Sequence, residues 1–106
     1  MKLPLQIAVR NTTLSREMRQ IVRRRANKLN RYYDRVTACR VMVEIPQRHR
    51  IGTPIGYNVR VDLTVPGGEL VVKRHPRAAL RAAVKDAFAA AERRLQDYAR
   101  RRRTRT

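Results

Sequence analysis

Leu3, Leu5, Ile7 and Val9 alternate with small or polar neighbours, a period of two that predicts a strand with one buried face. The spacing then changes. Met18, Ile21, Val22, Ala26, Leu29 and Tyr33 recur at helical intervals, so a helix with one apolar stripe is expected from about Leu14 to Tyr33. Thr12, Thr13 and Ser15 are each able to cap its start. Cys39, Val41, Val43 and Ile45 alternate with Arg40, Met42 and Glu44 in a second strand closed by Pro46. The following PQRHRIGTPIG, with two glycines and two prolines, reads as a flexible basic loop. Tyr57, Val59, Val61, Leu63 and Val65 then share one face of a third strand, and Asn58, Arg60, Asp62 and Thr64 take the other. PGG at Pro66 to Gly68 predicts a tight hairpin into a fourth strand, ELVVKR. A second helix is expected from about Arg77 to Arg101, with Pro76 suited to its first turn. It buries Leu80, Val84, Ala87, Phe88, Ala91, Leu95 and Tyr98.

The predicted order is β-α-β-β-β-α. Hairpins make the last three strands antiparallel, and the crossover through the first helix sets strand one parallel to a later strand. Every strand has one apolar face and each helix one apolar stripe. Two helices on one face of a four-stranded sheet bury both, which makes a two-layer α+β domain. At 106 residues the chain supports one such core. The expected division is a single domain over residues 1–101 and a basic, flexible tail over residues 102–106, which lacks an apolar anchor.

Charge changes the picture. There are 26 lysines and arginines against 8 aspartates and glutamates, a net charge of +18. Pairing every acid would still leave eighteen cations, and self-repulsion on that scale points to a polyanionic partner. Arg24, Lys28, Arg31 and Arg35 follow the spacing i, i+4, i+7, i+11 and form one line along the first helix, with no acid among them. An ordinary solvated face interleaves opposite signs. Arg25 lies nearer the buried edge, where its stem can pack while its head reaches outward. In the second helix Lys85, Arg93 and Arg100 point outward, with Arg94 and Arg101 on another flank, diluted by Asp86, Glu92 and Asp97. Such cations suit phosphates, arginine especially. The strands lack an aromatic platform for stacking bases. Tyr57 and Tyr33 read as core, and Tyr32, nearer the basic flank and within reach of an RNA, reads first as packing.

Catalytic chemistry is missing from the pattern. Cys39, His49 and His75 lie too far apart in sequence to suggest a metal site. Cys39, in the apolar run TACRVMVEI, reads as a buried structural thiol in a reducing compartment. Gly67 and Gly68 read as turn residues rather than a phosphate loop. No nucleophile with a matched base stands out. The expectation is a non-enzyme without cofactor or metal. No segment approaches the roughly 20 apolar residues of a membrane span.

Four segments in order, MRQIVRRRANKLNRYYDRV with CRVMVEI, then VDLTVPGGELVV, then VKDAFAAAERRLQDYARR, resemble the ribosome hibernation-promoting factor family, which includes the ribosome-associated translation inhibitors. The resemblance runs from Leu3 to about Arg101, and K-L-x-x-Y-[YF]-D-R at Lys28 to Arg35 is its most specific part. It implies the β-α-β-β-β-α fold derived above, similar to a double-stranded-RNA-binding domain. It also implies binding to the small ribosomal subunit and its rRNA in the channel between head and body, where messenger and transfer RNA would be occluded under stress or in stationary phase. By matching, Arg25 and Lys28, and Arg93 and Arg94, become expected rRNA contacts. Three features depart from the family pattern. Ala79 and Arg81 stand where many members carry an acidic-aromatic start to the second helix, the tail is basic rather than acidic, and the dimerisation domain of long forms is expected to be absent. The reading is a short-form, cytoplasmic hibernation factor, monomeric off the ribosome, with no small-molecule substrate and no membrane role. A general double-stranded-RNA-binding module is the alternative, and an anionic-membrane binder a third, disfavoured because the apolar helix faces are needed for the core.

Overall fold

A computed structural model describes residues 4–46, 56–73 and 77–104. Leu3, the loop residues from Gln47 to Ile55, including His49, and His75 and Pro76 lie outside the described residues. The elements are β1 (Leu5–Arg10), α1 (Arg16–Tyr32), β2 (Ala38–Glu44), β3 (Asn58–Val65), β4 (Gly68–Lys73) and α2 (Leu80–Thr104). The expected β-α-β-β-β-α order is the observed one.

The four strands form one sheet in the order β1-β2-β3-β4. β1 runs parallel to β2, with Leu5 opposite Cys39 and Val9 opposite Val43. β2 and β3 are antiparallel, with Val41 opposite Val61, and β3 and β4 are antiparallel, with Val61 opposite Val72. Because side chains alternate across a pleated sheet, this register stacks Cys39, Val41, Val43, Val59, Val61, Leu63, Val65 and Val72 on one face, all buried. The two helices cover that face, α2 over β3 and β4 and α1 beside it near β1.

Ser15 is the residue that caps α1, its hydroxyl accepting the Met18 N–H at 3.1 Å. Met18, Val22, Ala26 and Leu29 are the buried stripe. In α2, Val84, Ala87, Phe88, Ala91 and Leu95 are buried as the periodicity predicts, and Ala83 and Ala90 join them. The helix starts at Leu80 rather than Arg77. Arg77 exchanges backbone hydrogen bonds with Tyr57 at 2.8 and 3.3 Å, which holds it in an extended bridge. At the other end α2 continues three residues past the expected stop, to Thr104. There Arg102 lies over the Tyr98 ring, 5.8 Å from its centroid, an i, i+4 contact that favours continued helix.

At the β3–β4 turn Gly67 has φ +88°, in the left-handed region open to glycine. Tyr98 donates its hydroxyl proton to the Pro66 carbonyl of the same turn. Cys39 is 2% exposed. Burial pushes its thiol pKa up to about 12, with the negative charge of Asp62 adding to the rise, so it is the inert core thiol the sequence suggests.

Candidate nucleic-acid interface

Two contacts orient the helical layer. Near the N-terminal ends, Arg81 of α2 pairs with Glu17 of α1 at 2.5 Å. Near the C-terminal ends, Tyr33 packs edge-on against Tyr98, with centroids 5.9 Å apart and planes at 78°. The helices therefore run side by side and parallel. Glu17 precedes Arg24 by seven residues, two helical turns, so it shares the flank of Arg24, Lys28 and Arg31. That flank faces α2. Lys85 lies one turn after Arg81 and so faces α1 in return. Arg24, Lys28 and Lys85 thus border the groove between the helices. Glu17 is the acid that the sequence reading left off this line.

The distribution of acids decides which cations are available. All eight acids of the chain lie within the described residues, where five ion pairs form. Arg10 pairs with Glu44 at 3.8 Å, Arg60 with Asp62 at 2.9 Å and Arg77 with Asp86 at 2.6 Å. Arg81 pairs with Glu17 at 2.5 Å and Arg100 with Asp97 at 2.9 Å. Among the described residues no acid pairs with Arg24, Arg25, Lys28, Arg31, Lys85 or Arg93. Arg24, Lys28 and Arg31 are exposed, and Arg25 is half-buried, as its place beside the apolar stripe predicts.

Ten residues were expected on this surface, and the structure does not treat them alike. Arg24, Arg25, Lys28, Arg31 and Lys85 come together on α1 and the facing flank of α2. Arg93 points outward from α2, exposed. Arg100 is already held by Asp97. Arg94 turns the other way and donates to the Val71 carbonyl of β4 at 3.4 Å, and Arg101 shares that flank by its i+7 spacing. Arg35 is the clear departure. α1 stops at Tyr32, Tyr33 takes extended angles at the C-cap, and Arg35 lies in the turn beyond. The i+11 extrapolation assumed helix where none continues.

Tyr32 corrects a second expectation. It does not pack: it is 55% exposed and is the exposed large hydrophobic residue among those described. Tyr33 packs against the core, as its place on the apolar stripe predicts. The helical spacing that sets Tyr33 on the apolar stripe turns Tyr32 towards the basic flank.

The opposite face of the sheet is open. A shallow depression of about 530 Å³ lies there, lined by Arg10, Arg40, Met42, Glu44, Arg60 and Lys73 among others. Asp62 holds Arg60 above its ordinary pKa, first through the side-chain hydrogen bond and then through its charge. Among the described residues no three His, Cys, Asp or Glu side chains are grouped to hold a metal. No helix there is long and apolar enough to cross a membrane.

Fold and charge together define a class: a basic two-layer α+β domain whose exposed helical cations suit a polyanionic partner. Residues 5–103 match the family described as sigma 54 modulation protein / S30EA ribosomal protein. The chain belongs to this ribosome-associated family, as its resemblance to hibernation-promoting factors implied, and the family is one of modulation proteins rather than enzymes. Among solved structures, it is similar to the N-terminal domain of Protein Y from Thermus thermophilus, with a TM-score of 0.73 and 20% identity over 92% of this chain and 99% of that one. It is also similar to a ribosomal subunit interface protein from Coxiella burnetii, with a TM-score of 0.76 and 12% identity over 91% and 97% of the two chains. At these identities the likeness is one of fold. No curated protein sequence matches it.

Proposed function

We propose that this chain is a ribosome hibernation factor. It binds rRNA in the decoding channel of the small ribosomal subunit and blocks messenger and transfer RNA by occupancy, inhibiting translation under stress or in stationary phase. The observation that carries the reading is the α1 cation line. Arg24, Lys28 and Arg31 are exposed with no acid partner among the described residues, although five acids pair elsewhere. Family membership directs that charge to the ribosome, and the subunit-interface name of the Coxiella burnetii neighbour agrees with it.

In this reading Arg24, Arg25, Lys28 and Arg31, with Lys85 and Arg93 from α2, neutralise rRNA phosphates. Arg94, Arg100 and Arg101 add to the field from the flank and end of α2, and Arg35 from the turn. The working unit is one domain, residues 1–101, and the basic residues 102–106 add charge at its end. It acts in the cytoplasm, where ribosomes are, as a monomer off the ribosome. It needs no cofactor, small-molecule substrate or membrane.

Binding to purified small subunits, measured with messenger and initiator transfer RNA as competitors and a plain RNA duplex as control, tests the proposal. Subunit-selective binding displaced by both competitors is the expected result. Equal affinity for the duplex, untouched by the competitors, would leave a general double-stranded-RNA-binding module.

A further inference from the structure

Tyr32 is an aromatic ring left in solvent beside unpaired cations. Solitary exposed aromatics are common enough to need no explanation, so its setting has to carry the argument. Three features do so.

The first is pre-organisation. Tyr32 is the last residue of α1, and the next residue, Tyr33, is tied down. The Tyr33 N–H donates to the Leu29 carbonyl at 2.9 Å, and its ring meets Tyr98 edge-on. Tyr98 in turn donates to the Pro66 carbonyl and lies under Arg102. The end of α1 is therefore fixed to α2 and to the β3–β4 turn, and the backbone that presents Tyr32 is held in place. The second is alignment. Tyr32 lies one turn after Lys28 and two after Arg25, hence on the same flank of α1, and Arg31 precedes it directly. The third is charge. None of Arg25, Lys28 and Arg31 has an acid partner among the described residues, so phosphates on either side of a ring contact would meet free cations.

An aromatic face between phosphate-binding cations is the arrangement by which proteins hold unpaired nucleotides, because every base has a π-face to stack. Bases inside a duplex are already stacked and out of reach. We infer that Tyr32 stacks on an unpaired nucleobase of the bound RNA while Lys28 and Arg31 engage the adjoining phosphates. This rests on the reading that RNA is the partner, and adds that the surface selects RNA with an unpaired base at the C-terminal end of α1.

The test compares two RNA hairpins of equal length and charge, one with bases in its loop and one with an abasic loop. Each is titrated against the wild-type chain, Tyr32→Ala and Tyr32→Phe. Wild type should favour the base-bearing loop by roughly ten-fold. Tyr32→Ala should lose that preference while keeping its affinity for the abasic hairpin and its thermal midpoint, and Tyr32→Phe should retain the preference. Absence of a base preference in the wild type, or its persistence in Tyr32→Ala, overturns the inference. So does a Tyr32→Ala variant weakened on small subunits but unchanged on both hairpins, which would assign the ring to a ribosomal protein. The competition experiment on subunits fails or succeeds separately, so loss of the stacking contact and loss of the hibernation reading remain distinguishable.

Discussion

The two outer faces of this domain both carry arginine and lysine, yet they differ in what the cations are doing. On the open sheet face Arg10 and Arg60 are each closed by an acid on the same sheet, Glu44 and Asp62. Arg40 and Lys73 beside them have no acid partner among the described residues. On the helical face Arg24, Lys28 and Arg31 have no acid within the described residues, and the one acid on their flank, Glu17, is taken by Arg81. Exposed ion pairs contribute little to stability, but they cancel local field. Net charge alone therefore does not locate a polyanion surface; the placement of the eight acids does. Here they neutralise the sheet face in part and the junction of the helices, and they leave the α1 flank open.

The strongest way to break this contrast is to reverse the flank. Arg24→Glu, Lys28→Glu and Arg31→Glu together should lower affinity for small subunits by about 100-fold or more at near-physiological salt. For about six neutralised phosphates the wild-type log-log salt slope should be roughly −4 to −5. The triple variant should flatten it by about two to three. All three side chains are exposed, so the circular-dichroism melting curve should hardly move. A folded triple variant that still binds would remove the flank from the interface.

A smaller effect sharpens the same contrast. Arg10→Gln with Arg60→Gln removes two cations from the sheet face, and binding should change by no more than about three-fold, since each was already paired. A loss as large as that of the triple variant would mean that total charge, not its arrangement, governs binding.

The smallest effect concerns the core between the two faces. The Cys39 thiol should resist iodoacetamide at pH 8 in the folded protein and react once denaturant opens the chain. Its folded pKa is raised from an ordinary 9.0 to about 12, so the folded state holds the proton more tightly than the unfolded one. This contribution to stability is fully present below pH 9 and is lost as pH rises from about 9 towards about 12. Denaturant midpoints of wild type and Cys39→Ala should therefore differ by a constant amount from pH 6 to 8 and draw together above about pH 9. A constant difference throughout would show that the thiol titrates alike in both states.

Much of this molecule was legible in its sequence because the signals are local and repeated. Within β2 and β3 the alternating Cys39, Val41, Val43, Val59, Val61, Leu63 and Val65 are buried as expected, while Ile45 and Tyr57 fall just outside the strands and are half-buried. Met18, Val22, Ala26 and Leu29 are the stripe that helical spacing predicts. Boundaries were harder. Arg77 is drawn from helix into a bridge by Tyr57, more than a dozen residues away in sequence, and α2 is carried to Thr104 where Arg102 meets Tyr98. The site was legible in part. The run Arg24, Lys28, Arg31 is a property of one helix and could be read from spacing. Its extension to Arg35 failed because nothing in the pattern marks Tyr33 as the cap.

The sequence by itself determined the element types, the apolar faces, the two-layer architecture and the excess of cations, since each follows from period, composition or turn chemistry within a short window. Tertiary structure decided the neutralisations that join residues far apart along the chain, such as Glu17–Arg81, whereas Arg60–Asp62 and Arg100–Asp97 are local pairs. It also decided which ring covers Tyr33, and that Tyr32 is left in solvent. That choice depends on where α2 places Tyr98, and a ring is buried only where a neighbour from another element is there to cover it.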